Sequence, residues 1–186
     1  MHADLNNFYA TVECVLNPAL QGQAVVVCGN PAHRHGIVLA KNELAKAHGI
    51  KTGDVLWQAQ QKCPNLIGVP PNFPRYLELS DKVRAIYARY TDQVEPYGID
   101  ECWLDVTGST QLFGSGEAIA LALRQAVRQE LGLTISVGVS FNKIFAKLGS
   151  DYKKPDASTL ITQSNYQQIV WPLAVSELFF VGRATS

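Results

Sequence analysis

The chain lacks an excess of charge of either sign, since 16 lysines and arginines balance 16 aspartates and glutamates over 186 residues. It therefore has no overall basic field of the kind that attracts nucleic acid or anionic membranes. Long apolar runs are also missing, and no segment approaches the length that a membrane-spanning helix needs. No signal-peptide pattern precedes Asp4, and the chain has neither an internal repeat nor a low-complexity segment.

Closely spaced metal-ligand pairs are missing as well. The four cysteines show neither such spacing nor a disulfide framework: Cys14, Cys28, Cys63 and Cys102. His33 and His35 lie in a turn-rich loop without a carboxylate or cysteine at ligand spacing, so a solvated loop explains them better than a metal site. Unpaired thiols are typical of a reducing compartment, and we expect a cytoplasmic protein without membrane association. The apolar content of 47% is enough for a sizeable core.

An acidic pair stands in the most informative segment, residues 97–106. Its β-branched and aromatic residues are typical of a strand, with Asp100 and Glu101 in the middle. Successive side chains of a strand point to opposite faces, so the two acids would diverge on a flat sheet. Gly98 permits a bend or tight turn at which both could face one point. Carboxylates forced together repel each other, and a divalent cation relieves the repulsion.

A solvated turn is the commoner role of such a pair, but a second acidic strand end favours a metal site. Asp4 closes a short opening strand and is followed by Phe8 and Tyr9, of which at least one can be explained as core filling. Three carboxylates at the ends of neighbouring strands make a hard-oxygen site for one or two magnesium ions. Two such ions, about 3.5–4 Å apart, can clamp the attacking and leaving oxygens of a phosphoryl transfer.

The order of elements predicts an α+β fold. An opening strand, an insert, a long helix over 75–94, the acidic strand, a second long helix after Ser115 and a strand ending at Ser140 indicate a ferredoxin-like arrangement. We expect an antiparallel or mixed sheet backed by the two helices. The proline-rich segment 70–74 is the expected boundary of a small inserted lobe over residues 10–74.

Three segments resemble the motifs of the Y-family, or translesion, DNA polymerases. The first is residues 4–13, and the second joins Gly98–Glu101 to Leu104–Gly108. The third runs from Ser136 through Lys147 to Pro155. The likeness covers the whole chain in colinear order, which makes it far more specific than any one motif.

The resemblance implies roles for individual residues. Asp4, Asp100 and Glu101 would be the catalytic residues and would bind two Mg²⁺ ions, with the backbone carbonyl of Leu5 as a further ligand. Tyr9 matches the family's steric gate, whose ring occupies the space that a ribose 2′-hydroxyl would need. Nucleotide binding is implied for Asn7, Phe8, Tyr9, Lys46 and Lys154.

The resemblance also implies a domain plan and an activity. Residues 1–9 and 75–165 would be the palm, 10–74 the fingers and 166–186 the start of a truncated thumb, so the chain would be an N-terminal catalytic-core fragment. The implied function is that of a DNA-directed DNA polymerase that adds dNTPs to a primer 3′ end by two-metal phosphoryl transfer. Its partners would be primer–template DNA, dNTPs and, in the full-length protein, a sliding clamp. We expect the isolated chain to be weakly active or inactive.

Three positions depart from the commonest family pattern. Asn6 replaces an aspartate that is not usually counted as a ligand, and Gly98 stands where serine is common. Glu43 sits where many members carry a tyrosine that contacts the triphosphate, and because a carboxylate there would repel phosphate we leave Glu43 out of the site.

Two alternatives stay open. One is a palm-fold nucleotide cyclase, in which Phe8 and Tyr9 would have no obvious role. The other is a catalytically silent, polymerase-like adaptor, which the loss of a metal carboxylate would mark.

Overall fold

A computed structural model of the chain describes residues 1–30, 36–179, 181–182 and 185. Within these residues the strands are β1 (His2–Leu5), β2 (Val25–Cys28), β3 (Val38–Lys41), β4 (Ile67–Val69), β5 (Val94–Tyr97), β6 (Glu101–Leu104), β7 (Ile135–Ser140) and β8 (Ser158–Ile161). The α-helices are α1 (Phe8–Leu16), α2 (Glu43–Ala47), α3 (Leu56–Lys62), α4 (Phe73–Tyr87), α5 (Thr110–Phe113), α6 (Gly116–Leu131), α7 (Lys143–Tyr152) and α8 (Tyr166–Val170). Single turns of 3-10 helix cover Pro18–Leu20, Thr107–Ser109 and Val175–Glu177.

The chain divides into two compact units. The larger unit comprises residues 1–6 and 80–186, and the smaller unit comprises residues 7–79. None of the helices among the described residues has the length and apolar character that crossing a bilayer requires.

The larger unit is built on a five-stranded mixed sheet in the order β5–β6–β1–β7–β8. Neighbours from β5 to β7 are antiparallel, whereas β8 pairs parallel with β7. Along the chain the elements follow the order β1, α4, β5, β6, α6, β7, which is that of a ferredoxin-like fold. The predicted α+β class and mixed sheet are therefore confirmed.

The acidic segment of this sheet is part of a hairpin and not one continuous strand. Helix α4 ends at Tyr87 and not at Val94 as predicted, because Val94 begins β5 and pairs with Leu104 of β6. The predicted bend is present at Gly98, whose φ of +75° suits glycine, and Glu101 opens β6.

The two faces of the sheet carry different chemistry. Residues paired across strands share a face, and successive residues alternate between faces. Ala3 pairs with Cys102 and Val137, which gives an apolar face, whereas Asp4 pairs with Glu101 and Ser136 on the polar face. Strand β1 is buried along its whole length, so both faces are covered there.

Helix α7 covers the polar face closely. A Cβ at Gly138 of β7 would collide with the backbone of Ala146 and Ser150 of that helix. His2 pairs with Gly138 and reaches the same helix, since its Nδ1 lies 2.8 Å from Ser150 Oγ. The side chains of α7 are thereby brought onto Asp4 and Glu101.

The smaller unit has a three-stranded sheet in the order β3–β2–β4, with β2 antiparallel to β3 and parallel to β4. Its core is apolar and contains Val26, Cys28, Val38, Ala45, Ile50, Leu56, Ala59, Cys63 and Leu66. His33 and His35, with parts of the segment 178–186, lie outside the described residues.

Candidate active site

Two of the predicted carboxylates lie side by side at one end of the larger unit's sheet. Asp4 and Glu101 are register partners on antiparallel strands, so both point to the face that α7 covers. His2, two residues before Asp4, lies on that face with its Nε2 3.0 Å from Oε2 of Glu101. One ligand atom from each of these three residues lies within 4.8 Å of the other two.

The chemistry of this group fits a divalent cation. Carboxylate oxygens are the ligands that hard cations prefer, and imidazole nitrogen adds a ligand suited to transition metals. Among the described residues, neither Nε2 of His2 nor Oε2 of Glu101 has a hydrogen-bond partner of good geometry, although both are buried atoms. These two buried atoms lie 3.0 Å apart.

Asp100 lies beside this group but is not part of it. It occupies the turn before β6, where its carbonyl oxygen accepts a hydrogen bond from the Leu5 amide at 3.0 Å. Burial, and then the charges of Asp4 and Glu101, raise the pKa of the Asp100 carboxyl to about 6. A carboxyl in this state gains from a nearby cation, because a positive charge favours its ionised form.

The turn that carries Asp100 is fixed from α4. Ser80 Oγ donates a hydrogen bond to the carbonyl oxygen of Ile99, and Arg84 Nη2 donates one to the carbonyl oxygen of Gly98 at 3.1 Å. Both donors belong to the part of α4 that lies in the larger unit. The position of Asp100 is therefore set by backbone contacts on both sides of the turn.

Two lysines bring positive charge to the carboxylates. Lys147 Nζ of α7 lies 2.9 Å from Oδ2 of Asp4 and 2.8 Å from Oε2 of Glu101. Lys154 Nζ lies 2.7 Å from the same Asp4 oxygen, and both ammonium groups also reach Asp151. Burial disfavours the charged lysines, but Asp4 and the neighbouring carboxylates outweigh it and raise the pKa of both.

The pKa of Glu101 is likewise set by burial on one side and by charged partners on the other. Burial opposes ionisation of its carboxyl, but the contacts with His2 and Lys147 outweigh burial and lower the pKa to about 2. Adjacent residues, Asp100 and Glu101, thus have pKa values shifted in opposite directions. The cause is local, because both lysines contact the Asp4–Glu101 side of the site.

The loop that carries Lys154 is anchored by Asn6. Asn6 is buried, its Oδ1 accepts from the Asp156 amide at 2.8 Å, and its Nδ2 donates to Ser136 Oγ at 2.9 Å. The carboxylate of Asp156 is in turn paired with Arg124 of α6 at 3.0 Å and with Arg128. The departure from aspartate at position 6 therefore has a structural explanation, since an amide can both accept and donate.

The remaining predicted residues belong to the smaller unit. Tyr9 stacks on Tyr76, with ring centroids 4.4 Å apart and planes 9° from parallel, and Phe73 meets both rings edge-on. Phe8 is 3% exposed and packs into the core beside these rings. The Tyr76 hydroxyl donates to Glu13 at 2.6 Å, which fixes the ring under Tyr9.

Glu43 is engaged within the smaller unit. Asn7 Nδ2 donates to Glu43 Oε1 at 2.7 Å, and Lys46 Nζ lies 3.6 Å from the same oxygen. The Glu43 charge is thus compensated locally. Asn7 adopts a left-handed backbone with φ of 50°, which asparagine tolerates better than most residues.

Comparison with known proteins agrees with the motif resemblance. The model of the impB/mucB/samB family matches residues 3–151, which is most of the chain. The chain belongs to this family, the Y-family of DNA polymerases.

Individual Y-family relatives match the chain from end to end. It is 54% identical over 185 residues to a DNA polymerase IV from Acetivibrio thermocellus. The match covers 100% of this chain and 46% of that protein. DNA polymerase IV 1 from Bacillus subtilis is 42% identical over 185 residues, covering 100% of this chain and 44% of the relative. The chain thus spans about half the length of the curated relatives that it matches.

Solved structures give the same fold. An insertion ternary complex of Dbh DNA polymerase matches with a TM-score of 0.91 and 32% identity, covering 98% of this chain and 54% of that one. The crystal structure of DinB from Sulfolobus solfataricus matches with a TM-score of 0.88 and 32% identity, again over 98% of this chain and 54% of the other.

Two residues of this Y-family site, His2 and Lys147, are absent from the sequence prediction. His2 could have been found, because the period of a strand places it on the same face as Asp4. Lys147 could not, because Lys143 stands one turn earlier on the same helix and the sequence does not distinguish the two.

Proposed function

We propose that this chain is the catalytic core of a translesion-type, DNA-directed DNA polymerase that adds dNTPs to the 3′ end of a primer. The observation that carries the proposal is the convergence of Asp4 and Glu101 on one face of the sheet, with Asp100 beside them, in a Y-family chain. A structural relative described as an insertion ternary complex supports primer–template DNA and a nucleotide as the ligands.

The proposed metal ligands are Asp4, Asp100, Glu101 and the backbone carbonyl of Leu5, and the proposed ions are two Mg²⁺. When bound, two such ions activate the attacking oxygen and neutralise charge on the phosphates. The contributions of the chain itself are to hold the carboxylates on one face and to supply counter-charge. Lys154 is 29% exposed against 8% for Lys147, so Lys154 is better placed to exchange its Asp4 contact for a triphosphate oxygen.

Further roles rest on family membership. Tyr9 is the proposed steric gate against ribonucleotides, and Asn7, Phe8 and Lys46 are proposed to bind the nucleotide. Palm, fingers and thumb are assigned to residues 1–9 with 75–165, 10–74 and 166–186. We also propose a cytoplasmic location and, for a protein of the relatives' length, a sliding clamp as partner.

The two alternatives lose support. All three carboxylates are present, which argues against a catalytically silent adaptor. The family relatives are named DNA polymerases, which argues against a nucleotide cyclase.

The test is primer extension by a chimera in which these 186 residues replace the aligned residues of the Acetivibrio thermocellus relative. We expect the chimera to extend a primer with dNTPs and Mg²⁺ and Asp100→Asn to abolish extension, because an amide does not balance the charge of a metal ion. Asp105→Asn is the matched control, since Asp105 is exposed just beyond the other end of β6. An inactive chimera would contradict the polymerase proposal, and near-normal extension by Asp100→Asn would contradict the metal assignment.

A further inference from the structure

Lys147 is unusual because its charged end is buried in the middle of the acidic group. Lysine is almost never fully buried unless it is paired, and this side chain is only 8% exposed. Its partners are three carboxylates: Asp4 at 2.9 Å, Glu101 at 2.8 Å and Asp151 at 3.2 Å. The third motif includes Lys147, but the resemblance assigns this residue no role.

The ammonium of Lys147 contacts the same two carboxylates that a divalent cation would need. Asp4 and Glu101 offer ligand atoms within 4.8 Å of each other, and Nζ lies within 3 Å of Oδ2 of one and Oε2 of the other. A hard cation binds carboxylate oxygens at about 2.0–2.6 Å. A divalent cation on the same oxygens would lie close to the Lys147 ammonium, and the two positive charges would repel each other.

The partners of Lys147 differ in exposure. The Asp4 side chain is 8% exposed and the Glu101 side chain is 21% exposed. Asp151 lies one helical turn further along α7 and its side chain is 46% exposed. Lys147 can therefore keep a carboxylate partner near solvent if it leaves the other two.

We propose that Lys147 is a positioning residue that stands in for the metal: its ammonium holds the Asp4 and Glu101 carboxylates together in the metal-free chain, and Lys147 gives up both contacts when a divalent cation binds. The proposal rests on the proposed function in one respect, that Asp4 and Glu101 are metal ligands. Without a neighbouring cation, the carboxylates of Asp4 and Glu101, which are 8% and 21% exposed, would repel each other.

A matched control stands on the same helix. Lys143 Nζ pairs with Glu95 at 2.6 Å and lies 4.5 Å from the centre of the Trp103 ring, away from Asp4. Its side chain is 56% exposed. Lys143→Met and Lys147→Met thus remove the same charge from the same helix, but only the second removes it from the acidic group.

In the experiment the 186-residue chain is titrated with Mn²⁺, and electron paramagnetic resonance measures the free ion at each step. The proteins compared are the wild type, Lys147→Met, Lys143→Met and Asp4→Asn. We expect Lys147→Met to bind Mn²⁺ at least about fivefold more tightly than the wild type, the lower end of the range typical of coupled sites. It should also melt at a lower temperature without metal. Lys143→Met should change neither quantity.

The outcomes separate the two claims. Unchanged or weaker Mn²⁺ binding by a folded Lys147→Met would overturn the role of Lys147. Failure of the wild type to bind Mn²⁺, or binding that Asp4→Asn does not reduce, would instead overturn the proposed metal site.

A measurement on the wild type keeps the proposal testable if Lys147→Met does not fold. Acetic anhydride labels accessible lysine amines, and mass spectrometry reports the labelling of each lysine. We expect Mg²⁺ to increase labelling of Lys147 several-fold while that of Lys143 stays constant. Labelling of Lys147 that is unchanged or lower with Mg²⁺ would contradict the proposed release.

Discussion

The two units of the chain hold their predicted site residues by different physical means. In the larger unit Asp4 and Glu101 are held by ion pairs with Lys147 and by register across two strands. In the smaller unit Tyr9 is held by stacking on Tyr76. Ion pairs respond to pH and to competing cations, whereas ring stacking does not. The comparison therefore predicts that pH and divalent cations change the effect of substitutions around Asp4 and Glu101 and leave the effect of substitutions at Tyr9 unchanged.

The largest effect is expected from Asp100→Asn in the metal-free chain. The pKa of Asp100 is raised from 3.8 to about 6, and a shift of this size corresponds to up to about 3 kcal/mol. Because the folded chain holds the proton more tightly than the unfolded chain, ionisation of Asp100 destabilises the fold as the pH rises from about 4 to about 6. Asp100→Asn should therefore raise the free energy of unfolding at pH 7.5, and the gain should vanish below about pH 4.

Urea unfolding in the presence of a chelator measures this gain at each pH. Asp105→Asn is again the control, because contacts with Thr107 lower the pKa of Asp105 and its neutralisation should give no gain. If the gain persists at pH 4, or if Asp105→Asn reproduces it, the gain does not come from the ionisation of Asp100 beside Asp4 and Glu101.

A smaller loss is expected from Asn6→Ala. The change leaves the Asp156 amide without its acceptor, at a cost of about 1–3 kcal/mol for an unsatisfied buried group. Asn6→Asp keeps an acceptor and should be closer to the wild type. Thermal unfolding of both variants checks the order, and equal losses would show that the hydrogen bond to Asp156 is not what Asn6 contributes.

Tyr9→Ala tests the smaller unit. Loss of stacking on Tyr76 should destabilise the chain by about 0.5–1.5 kcal/mol beyond the lost burial, equally at pH 5 and 7.5 and with or without Mg²⁺. Tyr9→Phe keeps the ring and should retain the stacking on Tyr76.

The same pair of variants in the chimera tests the steric gate. Ribonucleotide incorporation should rise for Tyr9→Ala and not for Tyr9→Phe. If ribonucleotide use is unchanged in a folded Tyr9→Ala, Tyr9 serves only packing.

The smallest effect is expected from Glu43→Gln. Glutamine can still accept the hydrogen bond from Asn7, and the exposed contact with Lys46 contributes little. The free energy of unfolding, measured by thermal unfolding, should therefore change by no more than about 0.5 kcal/mol, as for most surface substitutions. A larger loss would show that Glu43 has a further partner.

How far the sequence predicts this molecule depends on the range of the interactions. Strand alternation and the glycine turn are local, so the Asp4 and Asp100–Glu101 strand ends and the bend at Gly98 could be predicted. The hairpin strand β5 was not predicted, because apolar residues at helical spacing continue to Tyr90 and conceal the end of α4.

The polar contacts of the site are long-range and could not be predicted. Lys147 meets Asp4 across 143 residues, and Asn6 meets Asp156 across 150. Residue type alone does not reveal such partners, because the spacing of polar residues along a helix does not distinguish a buried lysine from an exposed one. The carboxylates were therefore predictable, and Lys154 was placed in the site by the family resemblance, whereas the contacts of Lys147 and His2 were not predicted.

The most direct test of the central claim, that Asp4, Asp100 and Glu101 hold divalent cations, is a crystal structure of the chain soaked with Mn²⁺ and a dNTP. Anomalous scattering locates the manganese independently of the protein atoms. We predict peaks within about 2.0–2.6 Å of carboxylate oxygens of all three residues, with Lys147 turned away from Asp4 and Glu101. Manganese bound elsewhere, or Lys147 still between the two carboxylates in crystals that contain the dNTP, would contradict the account.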